Sequence, residues 1–142
     1  MNDFLFTKER IFKHSPMRGL YFLMGGLFFV LTEVGRNVYR PYIYQNSIPD
    51  YGLADVVGNL LGTVTIIFME LGIIHANHAQ ARRITFFVTL GVALYELSQH
   101  ILPRGVMDWK DLYATLIAGV FTYLLVIFIW KKAQPPKFDI VE

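Results

Sequence analysis

Residues Leu112 to Trp130 read LYATLIAGVFTYLLVIFIW, a run without a formal charge that stops against Lys131 and Lys132. An uncharged apolar helix of about twenty residues matches the thickness of the hydrocarbon core of a bilayer. Trp130 and the two lysines are the side chains that suit the headgroup layer beyond it. This run therefore predicts a transmembrane helix. Three shorter uncharged cores precede it, Gly19–Thr32, Val56–Met69 and Ile84–Tyr95. Each reaches spanning length only by taking in polar residues at its ends. Buried helices of a soluble protein are the competing reading. Against it, the connecting segments are too short to cover four apolar helices, and 54% of the 142 residues are hydrophobic. The predicted fold is an all-α membrane protein with four transmembrane helices.

The rest of the composition narrows the class. Mean hydropathy is +0.42. The formal charge of +2 is spread along the loops, so no basic stripe points to nucleic acid. The absence of cysteine excludes disulfides, thiolate metal sites and a cysteine nucleophile. No small-residue cleavage pattern follows the first apolar run, so that run reads as a retained helix rather than a signal peptide.

Lys and Arg set the orientation. Lys8, Arg10, Lys13, Arg18, Arg82, Arg83, Lys131, Lys132 and Lys137 flank one side of the predicted bundle, and only Arg36, Arg40, Arg104 and Lys110 flank the other. The positive-inside rule then predicts both termini in the cytoplasm, with the 1–2 and 3–4 loops outside. The expected domains are 1–18, a cytoplasmic amphipathic or disordered leader; 19–132, the transmembrane domain; and 133–142, a cytoplasmic tail after Pro135 and Pro136.

The two halves echo one another. Glu33-Val34-Gly35-Arg36-Asn37 ends helix 1 as Glu96-Leu97-Ser98-Gln99-His100 ends helix 3, with Pro41 and Pro103 following. Asp50…Asp55, Asn59, Gly62 opens helix 2 as Asp108…Asp111, Thr115, Ala118 opens helix 4. The i, i+4, i+7 spacing makes a stripe that is polar at the top and small below, where another helix can approach. Two helical hairpins in the same orientation constitute a parallel repeat, with its axis near the membrane normal. The repeat gathers the acids on the outer side.

Asp55 and Asp111 stand where an acid N-caps a helix. Glu33 and Glu96 stand at predicted C-terminal ends, where the dipole disfavours them, so each needs a partner. Arg36 lies one turn from Glu33, and Arg104 is within reach of Glu96, Asp108 or Asp111. Two readings stay open: a polar outer pocket, or an ion-pair network that pins the helices. Glu96 with His100, and His75 with His78, each offer two ligands to a metal without a third at matching spacing, so no metal or cofactor is expected. Glu70 is expected to pair with Arg82 or Arg83. Tyr39, Tyr42, Tyr44 and Tyr51 read as an interfacial aromatic belt.

Glu96…Gln99…Arg104…Asp108…Asp111, leading into an apolar helix with Gly119, resembles the motif of the VanZ-like family. That pattern has an acid and a glutamine three apart, an arginine about five residues on, and two acids three apart at the next helix start. Thr115 replaces the family's usual asparagine, while Asp55-Asn59-Gly62 in the first half carries the missing form. The match covers about a quarter of the chain. VanZ-like proteins are small bacterial membrane proteins, and their founding member is associated with low-level teicoplanin resistance. The resemblance implies a multi-pass protein of the bacterial cytoplasmic (inner) membrane, tied to the cell envelope and antibiotic resistance.

The site expected from residues and repeat is Glu33, Arg36, Asp55, Asn59, Glu96, Gln99, His100, Arg104, Asp108 and Asp111, binding a cell-envelope lipid, wall precursor or glycopeptide. Arg36, Arg40 and Arg104 would take anionic groups. The alternative is a non-catalytic accessory subunit of a larger membrane complex, meeting it through Gly25, Gly26, Gly58 and Gly62. A membrane hydrolase or transferase ranks third, because no nucleophile motif accompanies Glu96 and His100.

Overall fold

The protein is represented by a computed structural model that describes residues 16–102 and 107–133. The expected positions of Lys8, Arg10, Lys13, Pro103, Arg104, Pro135, Pro136 and Lys137 lie outside the described residues. The elements are α1 (Pro16–Val34), a π-helical turn (Gly35–Tyr39), α2 (Arg40–Gln45), α3 (Leu53–Ile74), α4 (His78–Ser98) and α5 (Trp109–Ala133). No strand occurs among the described residues.

Helix 1 does not end in the Glu33–Asn37 stretch, where the sequence predicts its end. It passes through Glu33, widens into the π-helical turn and continues as α2. Pro41 sits in the first turn of α2, where a missing N–H costs little. In the loop that follows, Ser47, Tyr51 and Gly52 have positive φ. This turn folds Asp50 back onto the start of α3, where its carboxylate accepts from Gly52 N at 3.0 Å and Ala54 N at 2.6 Å. Asp50 therefore caps α3, while Asp55 lies inside its first turn. The same correction applies to α5: Asp108 accepts from Lys110 N at 2.9 Å, and Asp111 lies inside the first turn. Between α3 and α4, His75 closes one helix in the left-handed conformation, and Asn77 opens the next through a capping box with Gln80.

α3 occupies the middle of the bundle, packed by α1, α5 and α4, and α4 also packs on α5. The core is Tyr21 of α1, Val64, Ile67, Phe68 and Leu71 of α3, and Ala118 and Val126 of α5. Phe28 stacks on Phe68 at 6.2 Å, and Trp130 Nε1 donates to Tyr21 Oη at 2.7 Å. α4 reaches α5 through Gly119, where an added Cβ would lie 2.2 Å from Thr89 Cγ2. Only a glycine lets the backbones approach this closely.

Polarity runs inside out. Thr63, Thr65, Thr85, Thr115, Thr122 and Glu96 are buried, while Leu23, Leu27, Phe29, Phe86, Phe87, Ile117 and Leu124 are exposed. Most of these threonines return a hydrogen bond to the carbonyl four residues back, so their hydroxyls are satisfied within their own helices. Met17–Gln45, Leu53–Ile74 and Trp109–Ala133 are each long and apolar enough to cross a membrane. An all-helical bundle with three such helices fits an all-α membrane protein. α4 falls short of that length of apolar sequence because Arg82, Arg83 and Glu96 bracket a short uncharged core.

Candidate functional site at one end of the bundle

α3 and α5 run side by side in the same direction, since Lys110 at the start of one meets Asp55 at the start of the other. Their first turns, the π-helical turn and α2 enclose a cleft of about 190 Å³ lined by Arg36, Arg40, Asp55, Asn59, Asp108 and Asp111. α3 is its floor. The π-helical turn and α2 form one wall and α5 the other, and among the described residues no hydrogen bond or ion pair joins the two walls directly.

On the floor, Asp55 is fully engaged. Lys110 Nζ lies 3.2 Å from Oδ2, and the Tyr44 hydroxyl donates to Oδ1. Arg40 in turn donates from Nε to Tyr44 Oη at 3.4 Å and lies 5.5 Å from the Tyr44 ring centroid. Tyr39 donates to Asp50 Oδ2 at 3.3 Å. Tyr39 and Tyr44 therefore hold the capping acid and the floor acid, a role their reading as a belt missed. Each tyrosine precedes its acid by eleven residues. This spacing across a loop has no helical periodicity to betray it.

One turn deeper, Glu96 is 6% exposed. Its two oxygens accept from Asn59 Nδ2 at 3.3 Å and Gln99 Nε2 at 2.7 Å. Asn59 thus links the cleft to the buried carboxylate. Burial of a carboxylate is costly unless both oxygens are hydrogen-bonded, and two amides meet that requirement here.

The other expected pairings change. Glu33 accepts from Asn37 Nδ2 at 2.9 Å rather than pairing with Arg36, and it does not line the cleft. The π-helical turn explains the exchange. Wider winding brings residue i+4 over Glu33 and swings Arg36 toward α3, where its guanidinium lies over Gly58. His100 is exposed beyond the end of α4 and does not line the cleft, because the helix stops at Ser98 before an i+4 register with Glu96 is reached. Glu70 pairs with neither Arg82 nor Arg83; the ion pair among the described residues is Lys110 with Asp55. The capping box at Asn77 carries both arginines into the exposed first turns of α4. His78 packs its ring 5.5 Å from that of Trp130. Gly25 packs against Met69 and Gly58 against Arg36 within the chain, whereas nothing lies over Gly26 or Gly62.

Of the expected site residues, Arg36, Asp55, Asn59, Asp108 and Asp111 line the cleft, and Glu96 and Gln99 back it through Asn59. Arg40 lines it as well, and Lys110 is tied to it through Asp55. Among the described residues, no three His, Asp or Glu side chains converge as metal ligands. What the cleft offers is mixed-charge recognition: planar guanidinium donors on one wall and carboxylate acceptors on the other. The chain matches no protein-family model, no curated protein and no solved structure.

Proposed function

We propose that this chain is a four-span, VanZ-like protein of the bacterial cytoplasmic membrane, whose cleft opens on the outer face and binds the anionic head of a cell-envelope lipid or wall precursor. One observation carries the proposal. Arg36 and Arg40 line the cleft, yet neither has a carboxylate within ion-pair distance among the described residues. Arginine is the side chain best suited to hold phosphate or carboxylate through two parallel hydrogen bonds. The volume, about 190 Å³, supports a headgroup over a whole glycopeptide. Drug-sized ligands occupy several hundred cubic ångströms.

The fourth span is α4, despite its low hydropathy. Beyond its exposed first turns with Arg82 and Arg83, its polar side chains Thr85 and Glu96 are buried, and the large side chains it exposes include Phe86, Phe87, Leu90, Leu94 and Tyr95. A helix that turns its polar residues inward and its rings outward suits lipid better than water. With α4 in the bilayer, the cleft lies on the side opposite Arg82, Arg83, Lys131 and Lys132, which supports an outer placement. The VanZ-like motif points the same way through Glu96, Gln99, Asp108 and Asp111.

The absence of native cysteine permits a direct topology test. Asn46→Cys is expected to react with a membrane-impermeant maleimide in intact cells, and Ala79→Cys only after lysis. The reverse pattern would place the cleft inside. Function is tested with Arg36→Gln and Glu96→Gln, each scored for membrane abundance and for envelope phenotype, including teicoplanin susceptibility. Normal abundance with a lost phenotype supports a binding site. Normal abundance with an unchanged phenotype removes it and favours the accessory-subunit reading, for which the open backbone at Gly26 and Gly62 leaves room for a partner helix.

A further inference from the structure

We infer that the cleft selects a zwitterionic headgroup, a phosphate with a primary ammonium a few atoms away. This rests on the headgroup-binding reading above and names the class of ligand. On both walls, charged groups among the described residues lack an ion-paired partner. Among the described residues, Arg36 makes no hydrogen bond or ion pair, and Arg40 donates only to the Tyr44 hydroxyl. Facing them, the Asp111 carboxylate accepts no hydrogen bond, and Asp108 accepts one, from Lys110 N. The acid between the walls, Asp55, is already matched by Lys110 and Tyr44.

One wall carries Arg36 and Arg40; the other carries Asp108 and Asp111 beside Lys110, which is spent on Asp55. Although Arg40 and Asp111 attract one another across the cleft, no ion pair among the described residues closes the gap between the walls. A purely anionic head would answer Arg36 and Arg40 but set its charge against Asp108 and Asp111. A purely cationic ligand would fail in the opposite way. A phosphate joined to an ammonium satisfies both walls together. The ammonium must carry N–H groups, since carboxylates accept hydrogen bonds and a trimethylated nitrogen has none to give. Asn59, on the floor with its amide committed to Glu96, holds the middle of the cleft in place.

The experiment uses the full chain in detergent micelles, titrated with dihexanoyl phosphatidylethanolamine, phosphatidylglycerol and phosphatidylcholine, and with free phosphoethanolamine. Phosphatidylethanolamine is expected to bind about tenfold more tightly than the other two lipids. Asp111→Asn should erase that preference without weakening phosphatidylglycerol binding, and Arg36→Gln should weaken both. Asp108→Asn serves as the second acid variant if Asp111→Asn is not monodisperse. Phosphatidylglycerol binding as tight as phosphatidylethanolamine in the unaltered protein overturns the zwitterion inference and leaves the headgroup reading standing. No binding of any probe overturns both. Free phosphoethanolamine binding as tightly as its lipid upholds the selectivity and assigns the ligand to a solute rather than the bilayer.

Discussion

Gly58→Ala separates a binding role for Arg36 from a structural one, because it disturbs the guanidinium without removing its charge. A Cβ added at Gly58 would stand 2.7 Å from Arg36 Nε, 3.3 Å from Nη2 and 3.4 Å from Cζ. The first distance is about 0.7 Å short of ordinary contact, so the guanidinium must move by that order. Arg36 is an exposed, flexible side chain, which makes the displacement inexpensive for the fold. Gly58 lies inside α3, where replacing glycine with alanine favours the helix by about 1 kcal/mol. Stability should therefore hold or rise.

Binding should behave differently, since displacements on the ångström scale cost heavily where geometry does the recognising. We expect a loss of about tenfold in affinity for a phosphate-bearing short-chain lipid, with the melting temperature in detergent unchanged or raised. The double variant Gly58→Ala, Arg36→Gln should bind no more weakly than Arg36→Gln alone, because both changes act on one contact. Calorimetric titration and thermal unfolding read the two quantities separately. A lower melting temperature with intact binding would refute the reasoning and make Gly58 a packing residue. Additive losses in the double variant would show that Arg36 is not the group displaced.

Two further predictions test the architecture. Asp50→Ala removes the acceptor for Gly52 N and Ala54 N and should destabilise α3 by about 1 kcal/mol in thermal unfolding, whereas Asp55→Ala should cost less; the opposite ranking would return the cap to Asp55. Gly119→Ala should cost about 1–3 kcal/mol by forcing α4 from α5, and adding Thr89→Ala should recover part of it; a neutral Gly119→Ala would show that the two helices are not held at this separation.

The readability of each element from sequence followed how much of its chemistry was local. α5 was plain, since an uncharged nineteen-residue run ending in Trp130 needs no tertiary context. The grouping of acids at one end was also plain, because alternating helix direction carries the starts of α3 and α5 and the end of α4 to the same place. The π-helical turn was not. Gly35 and Pro41 are helix-ending signals, yet Gly35 instead fits against Val57, where an added Cβ would lie 2.8 Å from Cγ2. That is a tertiary contact with no trace in local spacing, and it decided where Arg36 points. The caps were misplaced for a related reason. Asp50 reaches α3 only because Tyr51 and Gly52 adopt positive φ, and in Tyr51 that conformation is not one that propensity suggests.

The mixed character of the cleft follows from the same geometry. Two parallel neighbouring helices bring two positive dipole ends together, which draws Asp50, Asp55, Asp108 and Asp111 to one place. Caps and first-turn acids alone would make that end purely acidic. The π-helical turn alters this by delivering Arg36 against the floor of α3 instead of leaving it beside Glu33, with Arg40 one turn on lining the same cleft. A regular α-helix through residues 35–39 would aim Arg36 elsewhere, and the cleft would lose one of its cationic donors. The irregular winding is thus the step by which this end of the bundle gains a wall with arginines facing a wall with acids. Its removal, by shortening the turn by one residue at Val38, should restore the Glu33–Arg36 register, leave α1 and α3 packed through Gly25, and abolish phosphate binding. Retained binding in that variant would mean that Arg40 alone supplies the anionic subsite.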